Sequence, residues 1–285
     1  MLLFLDYFQE KNNNLNYNLF DYLIALIYAV FPILIISYYL LKKSRFDQPV
    51  RVVIITFFLG FGVAFPLQAL NAFIDPLGEL LHVTVNGKNF YGSFLRAAFQ
   101  EEAFKFLIIV YYCMHLKEFK KPMDAIIFGV SASLGFAMIE NWGYVTNALV
   151  GDGFSAAKEL AIIRALTAIL LHMICGIMMG FYLIDYIFGE GKKIYLILSL
   201  LFPVCLHGFY NFIITSDYMS YYWVIILVAV FLIRINFIFE KQKKLEIENS
   251  NVQFTKKWPS HSDNVITLFF SFSLLLIIYL ILNTK

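Results

Sequence analysis

A chain of 285 residues that is 60% hydrophobic and only 15% charged carries too little polar side chain to cover a water-soluble surface of its size. Its formal net charge of +2 is spread over short connecting segments rather than gathered into a basic patch, so it gives no pointer to nucleic acid, and no nucleic-acid partner is expected. Apolar runs of about 20 residues recur, each long enough to cross a bilayer. The expected fold is therefore all-α: a polytopic transmembrane helical bundle, one membrane domain over residues 1–285, set in the lipid bilayer.

In chain order, residues 1–18 read as a polar arm containing Asn12-Asn13-Asn14. Leu2-Leu3-Phe4-Leu5 is interrupted by Asp6 too soon for a signal-peptide core, and no cleavage is expected. Eight spans follow, at about 19–41, 50–70, 94–116, 124–147, 161–187, 194–214, 220–239 and 264–283. Residues 71–93, with Asp75-Pro76 and Asn86-Gly87, read as a turn-rich cap or partly re-entrant loop. Residues 240–263, charged and rich in Ser and Asn, read as a flexible tether to the last span. Basic residues crowd alternate connections: Lys42, Lys43, Arg45 and Arg51; Lys117, Lys120 and Lys121; Lys192 and Lys193; Lys241, Lys243, Lys244, Lys256 and Lys257. The other side holds only Lys11, Lys88, Arg96, Lys158 and Lys285. Positive charge marks the cytoplasmic face, so 240–263 becomes a cytoplasmic tether and both termini are expected outside, in the cell membrane. Cys113, Cys175 and Cys205 all fall in apolar runs without metal-type spacing and read as small buried hydrophobes.

Chemistry concentrates in the third to sixth spans. Glu101-Glu102-Ala103-Phe104-Lys105 heads the apolar run 106–112, and each charge taken into hydrocarbon costs about 2.5–3.5 kcal/mol. Lys105 stands four residues from Glu101 and three from Glu102, so it can pair with either and one negative charge needs a partner elsewhere. An ordinary helix end at the interface fits the same stretch; the later spans argue for more. In span four, Ala125, Gly129, Ala132, Ser133, Phe136 and Glu140 share one stripe. Small residues there let helices approach closely, which turns Glu140, beside Asn141, inward; a structural Glu paired to a basic neighbour fits that position too. Span five carries Arg164 and His172, then Gly176 and Gly180; span six carries His207 and Asn211 one turn apart.

Depth brings these residues together. At about 1.5 Å per residue and a core of about 30 Å, Glu140 lies about 24 Å and His207 about 20 Å above the inner surface. Glu101 and Glu102 lie about 10 Å below the outer surface and His172 near the midplane, by the same arithmetic. The expected site therefore occupies the outer half of a core formed by spans three to six, about 94–214. Lys105 and Arg164 stand at heights suited to balancing the carboxylates.

Carboxylates and imidazoles in a water-accessible membrane pocket suit activation of water for hydrolysis. In one mechanism His172, His207 and one Glu, with Glu140 as candidate, hold Zn2+ while a second Glu takes the proton from water. In the other no metal takes part: a Glu activates water directly, and His207 and Asn211 donate hydrogen bonds to the developing oxyanion. Neither His-Glu-x-x-His nor Gly-x-Ser-x-Gly occurs in the sequence.

Glu101-Glu102-x-x-Lys105, Phe136-x-x-x-Glu140-Asn141 in an Asp-x-x-x-x-Gly setting, Arg164 followed by His172, and His207-x-x-x-Asn211 occur in that order. The set resembles the PrsW family of intramembrane proteases, within the larger group of CAAX-processing and bacteriocin-processing membrane endopeptidases. The resemblance covers about 100–211 and implies Glu101, Glu102, Glu140, His172, His207 and Asn211 as catalytic positions, supported by Lys105, Asn141 and Arg164. It further implies site-1 cleavage of a single-pass membrane protein, such as an anti-sigma factor, on its extracytoplasmic side, by either a metal-dependent or a glutamate mechanism. An ion- or proton-coupled transporter would also carry intramembrane Glu, His and Arg, but no internal repeat is visible. A non-catalytic scaffold of the same fold has no need to keep both glutamates and both histidines.

Overall fold

The computed structural model describes residues 17, 19–43, 49–81, 84–216, 219–248 and 256–283, and among these every regular element is helical. In chain order they are α1 (Leu19–Lys43), α2 (Val50–Gly62), α3 (Ala64–Leu81), α4 (Val85–Phe90), a π-helical stretch over Tyr91–Phe99, α5 (Gln100–Tyr111), α6 (Pro122–Asp152), α7 (Phe154–Leu166), α8 (Ala168–Ile187), α9 (Lys193–Thr215), α10 (Tyr222–Glu248) and α11 (His261–Asn283). Among the described residues seven stretches are long and apolar enough to span a bilayer: Leu19–Lys42, Val50–Pro76, Pro122–Asp152, Phe154–Ile187, Lys193–Thr215, Tyr222–Gln242 and His261–Asn283. The eighth expected span, 94–116, is instead built from the π-helical stretch and the short α5, and carries Arg96, Glu101, Glu102 and Lys105. Except for Tyr17, the expected N-terminal arm lies outside the described residues.

α6 is the axis of the bundle. Pro122 occupies its first turn, where a missing N–H costs nothing. The Asp124 carboxylate accepts from the backbone N–H groups of Lys120 and Lys121 at 2.7 and 2.9 Å. Residues 122–137 are then buried without interruption, as a helix apolar on every side must be. The apolar segment of α6 is 89% buried, against 17% for α1 and 22% for α11, so α1 and α11 face lipid and α6 faces protein.

Small residues make this possible. Gly129 of α6 backs onto the Gly176 backbone of α8, and a Cβ on Gly180 would meet the carbonyl of Ala125 at 2.6 Å. On the opposite side Gly60 of α2 lies against Ala132, and Gly135 against Phe57. The predicted stripe on span four thus packs α8 on one flank and α2 on the other. With no hydrophobic force between helices in lipid, such contacts supply the association through dispersion.

Three connections differ from their sequence-based reading. Residues 71–81, expected in a loop, extend α3, and Thr84 caps α4 by accepting from the Gly87 N–H. The Asp75-Pro76 pair that reads as a turn is carried inside the helix. The expected tether 240–263 is helical to Glu248, and residues 249–255 of it lie outside the described residues. It is also anchored: the Lys257 N–H donates to the Ile187 carbonyl at 2.8 Å, Lys256 to the Phe119 carbonyl, and Glu246 accepts from the Met123 N–H at 2.8 Å. Span five, read as one helix over 161–187, breaks at Thr167 into α7 and α8.

Gly129→Val forces a branched side chain into the α8 backbone, an overpacking worth about 1–3 kcal/mol or more. Its melting temperature in detergent should fall by several degrees or the folded protein should be lost. A Cβ on Gly62 meets nothing within 4 Å, so Gly62→Ala should melt as the unchanged chain does. Equal melting of the two variants would contradict close α6–α8 packing.

Candidate active site

The π-helical stretch Tyr91–Phe99 runs directly into α5, where Glu101 and Glu102 occupy the first turn and Lys105 follows. Such wide turns are rare and shift the face that the following residues present. Glu102 and Lys105 have fully buried side chains, and that of Glu101 is 11% exposed. α6 supplies Phe136, Glu140 and Asn141, α8 supplies His172, and α9 supplies His207, both imidazoles being buried.

Lys105 ties the group together. Its Nζ lies 2.8 Å from Glu102 Oε1, 3.8 Å from Glu101 Oε2, 3.3 Å from His172 Nδ1 and 4.4 Å above the Phe136 ring. An ammonium only donates, so His172 accepts at Nδ1 and carries its proton on Nε2, which lies 3.0 Å from Glu140 Oε2. His207 Nδ1 lies 3.0 Å from Glu102 Oε1 and its Nε2 3.8 Å from Glu101 Oε2. A carboxylate only accepts, so His207 donates from Nδ1, and its Nε2 faces Glu101 beyond hydrogen-bond distance. The two imidazoles meet edge to face with centroids 4.9 Å apart.

Behind His172 stands a second, structural network. Arg164 Nη2 donates to Glu140 Oε2 at 2.7 Å and Nε to Asn141 Oδ1 at 2.8 Å, while Asn141 Nδ2 donates to the Ala29 carbonyl at 2.8 Å. The guanidinium also lies over the Tyr144 ring, 4.1 Å from its centroid. Three helices, α1, α6 and α7, are joined through one cation. The break at Thr167 is fixed from α9, where the Tyr210 hydroxyl donates to Thr167 Oγ1 at 3.2 Å.

Ligand atoms of Glu101, Glu102, His172 and His207 all lie within 4.8 Å of one another. Two of their carboxylate oxygens, Glu101 Oε2 and Glu102 Oε2, are buried without a hydrogen-bond partner among the described residues. Two imidazoles and two carboxylates form a donor set that zinc accepts, and unpartnered buried oxygens are what a cation would satisfy. The residues therefore fit a metal. The set differs from the anticipated His172, His207 and Glu140: Glu140 lies beyond His172, where Oε2 already serves both Arg164 and His172.

A cleft of about 370 Å³ reaches the site from the side of α3. Glu101, Glu140, Phe136 and Ile139 line its inner end, and Gln68, Asn71 and Asp75 of α3 its outer wall. Arg96 clasps Asp75 with two bonds of 2.5 and 2.8 Å at that wall. Asn211 sits one turn after His207, half-buried and not part of this lining; its backbone carbonyl accepts from Thr215. Sequence reasoning missed the α3 wall. Its signal was present as a polar stripe, Gln68, Asn71 and Asp75, at helical spacing, hidden because 71–93 read as a loop.

Residues 48–235, which include every candidate residue above, match the profile described as PrsW family intramembrane metalloprotease. The chain is 36% identical to Protease PrsW of Bacillus subtilis (strain 168) over 186 residues, 65% of this chain and 79% of that one. It is 32% identical to Protease PrsW of Clostridioides difficile (strain 630) over 213 residues, 72% and 84% of the two chains. No solved structure matches it.

Arg164→Met strips Glu140 of its cation inside the bundle, and breaking a buried pair from one side costs about 3–5 kcal/mol. The melting temperature should fall accordingly. Arg164→Met combined with Glu140→Met leaves no orphan charge and should recover part of that loss. A double variant no more stable than the single one would show that charge pairing is not what Arg164 provides.

Proposed function

The chain belongs to the PrsW family of intramembrane proteases and is a multi-pass membrane peptide hydrolase, and on that footing we propose that Glu101, Glu102, His172 and His207 carry the hydrolysis. The observation that supports this most directly is their gathering within 4.8 Å at the inner end of a cleft that touches Glu101. Glu101 is the one member of the four that lines the cleft, so it is assigned the proton of the attacking water. Glu102, fully buried, orients His207 through the 3.0 Å bond to Nδ1. Glu140 orients His172 through Nε2, and Arg164 and Asn141 hold Glu140 and its helix in place.

The description of the family as metalloprotease and the unpartnered oxygens favour zinc, held by His207, Glu102 and His172. When bound, it would supply Lewis-acid polarisation of water and of the scissile carbonyl. One observation favours the metal-free reading: Lys105 already places a positive charge among the same donors. In that reading an imidazolium of His207 serves the oxyanion from Nε2 while Nδ1 stays on Glu102; Asn211, expected beside it, does not line the cleft.

The substrate class we propose is a single-pass membrane protein of the anti-sigma-factor kind, cut near its extracytoplasmic end. The distribution of Lys and Arg supports this side, because it puts 42–51, 117–123, 189–193 and 240–263 in the cytoplasm and both termini outside. A cleft that opens beside a largely exposed helix, α3, suits a substrate arriving from within the bilayer.

Glu101→Gln and Glu102→Gln should each leave a folded, inserted protein whose cleavage of a single-pass substrate falls by at least about 10²-fold. Wild-type rates in both would remove the assignment. For orientation, single cysteines at positions 44, 88 and 250 in a cysteine-free background should label from outside only at 88. External labelling of position 44 would invert the map and the side of cleavage.

A further inference from the structure

Four donors suited to a metal surround a positive charge that the chain itself provides. Lys105 Nζ is within 3.8 Å of Glu101, Glu102 and His172, three of the four residues that compose the candidate metal set. It takes more than space. His172 has a single lone pair in its neutral form, on the nitrogen opposite its N–H. The N–H points at Glu140 Oε2, at 3.0 Å, and the lone pair on Nδ1 faces Lys105, at 3.3 Å. His172 therefore has no free nitrogen while Lys105 stays where it is. The remaining members are in a different condition: among the described residues Glu101 Oε2 and Glu102 Oε2 have no hydrogen-bond partner, and His207 Nε2 makes no hydrogen bond, its nearest carboxylate oxygen, on Glu101, being 3.8 Å away.

We propose that Lys105 is an internal competitor of the metal: its ammonium stands among the donors a metal would take, blocks His172, and must leave before His172 can ligate. The inference rests on the metal reading given above and adds a regulated step to it. Two cations cannot share donors this close, because their repulsion grows as the surroundings lose water. The same contact explains why the two adjacent carboxylates and a lysine survive in an apolar bundle without metal. A buried carboxylate left unpaired is strongly destabilising, and Lys105 prevents this for Glu102 through its 2.8 Å bond. The donors are thus stable without metal and would load at the cost of breaking that pair, which sets the affinity below what the same donors provide unopposed.

The test is zinc affinity of the purified full-length protein, stripped of metal and titrated against a chelating dye, together with its melting temperature with and without zinc. Lys105→Met should bind zinc at least about tenfold more tightly than the unchanged chain, a difference of about 1.4 kcal/mol. Lys105→Arg keeps the charge and should gain nothing. A double-mutant cycle isolates the blocking contact: His172→Ala should cost at least about tenfold more affinity in the Lys105→Met background than in the unchanged one. Should Lys105→Met fail to fold without metal, it and Lys105→Gln should be recovered by zinc; neutral variants that zinc does not rescue overturn the proposal. It is also overturned by Lys105→Met binding zinc no better than the unchanged chain, or by equal costs of His172→Ala in the two backgrounds. No zinc binding by the unchanged chain or by either neutral variant removes the metal reading itself, which is a separate result.

Discussion

The ion pair between Lys105 and Glu102, 2.8 Å long with both side chains wholly buried, is the constraint on which the rest of the bundle depends. Charges cannot stand in a hydrocarbon slab without partners, and surrounding helices must bring those partners with little room for error. Lys105 reaches His172 on α8, Glu102 reaches His207 on α9, and His172 reaches Glu140 on α6. Each contact crosses between helices, so none forms unless α5, α6, α8 and α9 stand at one spacing. The glycines set that spacing. Gly129 against Gly176, and Gly180 against Ala125, bring α6 and α8 to backbone contact and so place His172 within 3.0 Å of Glu140. Packing and electrostatics are two sides of one requirement here.

The polar residues divide into layers with different work. Asn141, Arg164 and Glu140 form an outer buttress tied to the Ala29 carbonyl of α1, and every hydrogen bond in it is short and charge-assisted or made to backbone. Inside it two of the four donors are under-satisfied: among the described residues Glu101 Oε2 and Glu102 Oε2 lack hydrogen-bond partners. A protein that fully satisfied these oxygens would be more stable and less able to bind anything. Leaving them open beside a cleft is the arrangement expected of a reacting centre, where stability is exchanged for function.

Much of this was legible in the sequence because hydrocarbon is a severe solvent. Spans are long apolar runs, and a charge inside one is conspicuous at once, which is how Glu101, Glu102, Lys105, Glu140, His172 and His207 stand out. Small residues at helical spacing gave the packing faces of α6 and α8 for the same reason. Partner choice was not legible. Glu140 and Glu102 are both carboxylates on inward faces, and only the three-dimensional position of Arg164 on the separate α7 decides that Glu140 belongs to the buttress. Nor was the conformation of 71–93 legible: Asp75-Pro76 and Asn86-Gly87 carry turn propensity, yet α3 runs through the first and Thr84 begins a new helix before the second. Tertiary contacts overrode propensity there, through Arg96 on Asp75 and the Tyr91 hydroxyl on the Ile74 carbonyl at 3.2 Å. The π-helical stretch leaves no mark in composition at all.

Charge balance gives the last step. Glu101, Glu102 and Glu140 supply three negative charges when ionised, and Lys105 and Arg164 supply two positive ones. With neutral histidines the buried group is short of one positive charge, and the deficit falls on Glu101, whose nearest cation is 3.8 Å away while Glu102 and Glu140 hold theirs at 2.8 and 2.7 Å. The least compensated carboxylate is also the one of the four donors that lines the cleft. A group in that position gains most from taking up a proton or facing a cation, and water arriving through the cleft meets it before the others. The same imbalance that costs stability therefore agrees with the proposal that Glu101 takes the proton of the attacking water, whether the missing positive charge is supplied by a metal or by the proton itself.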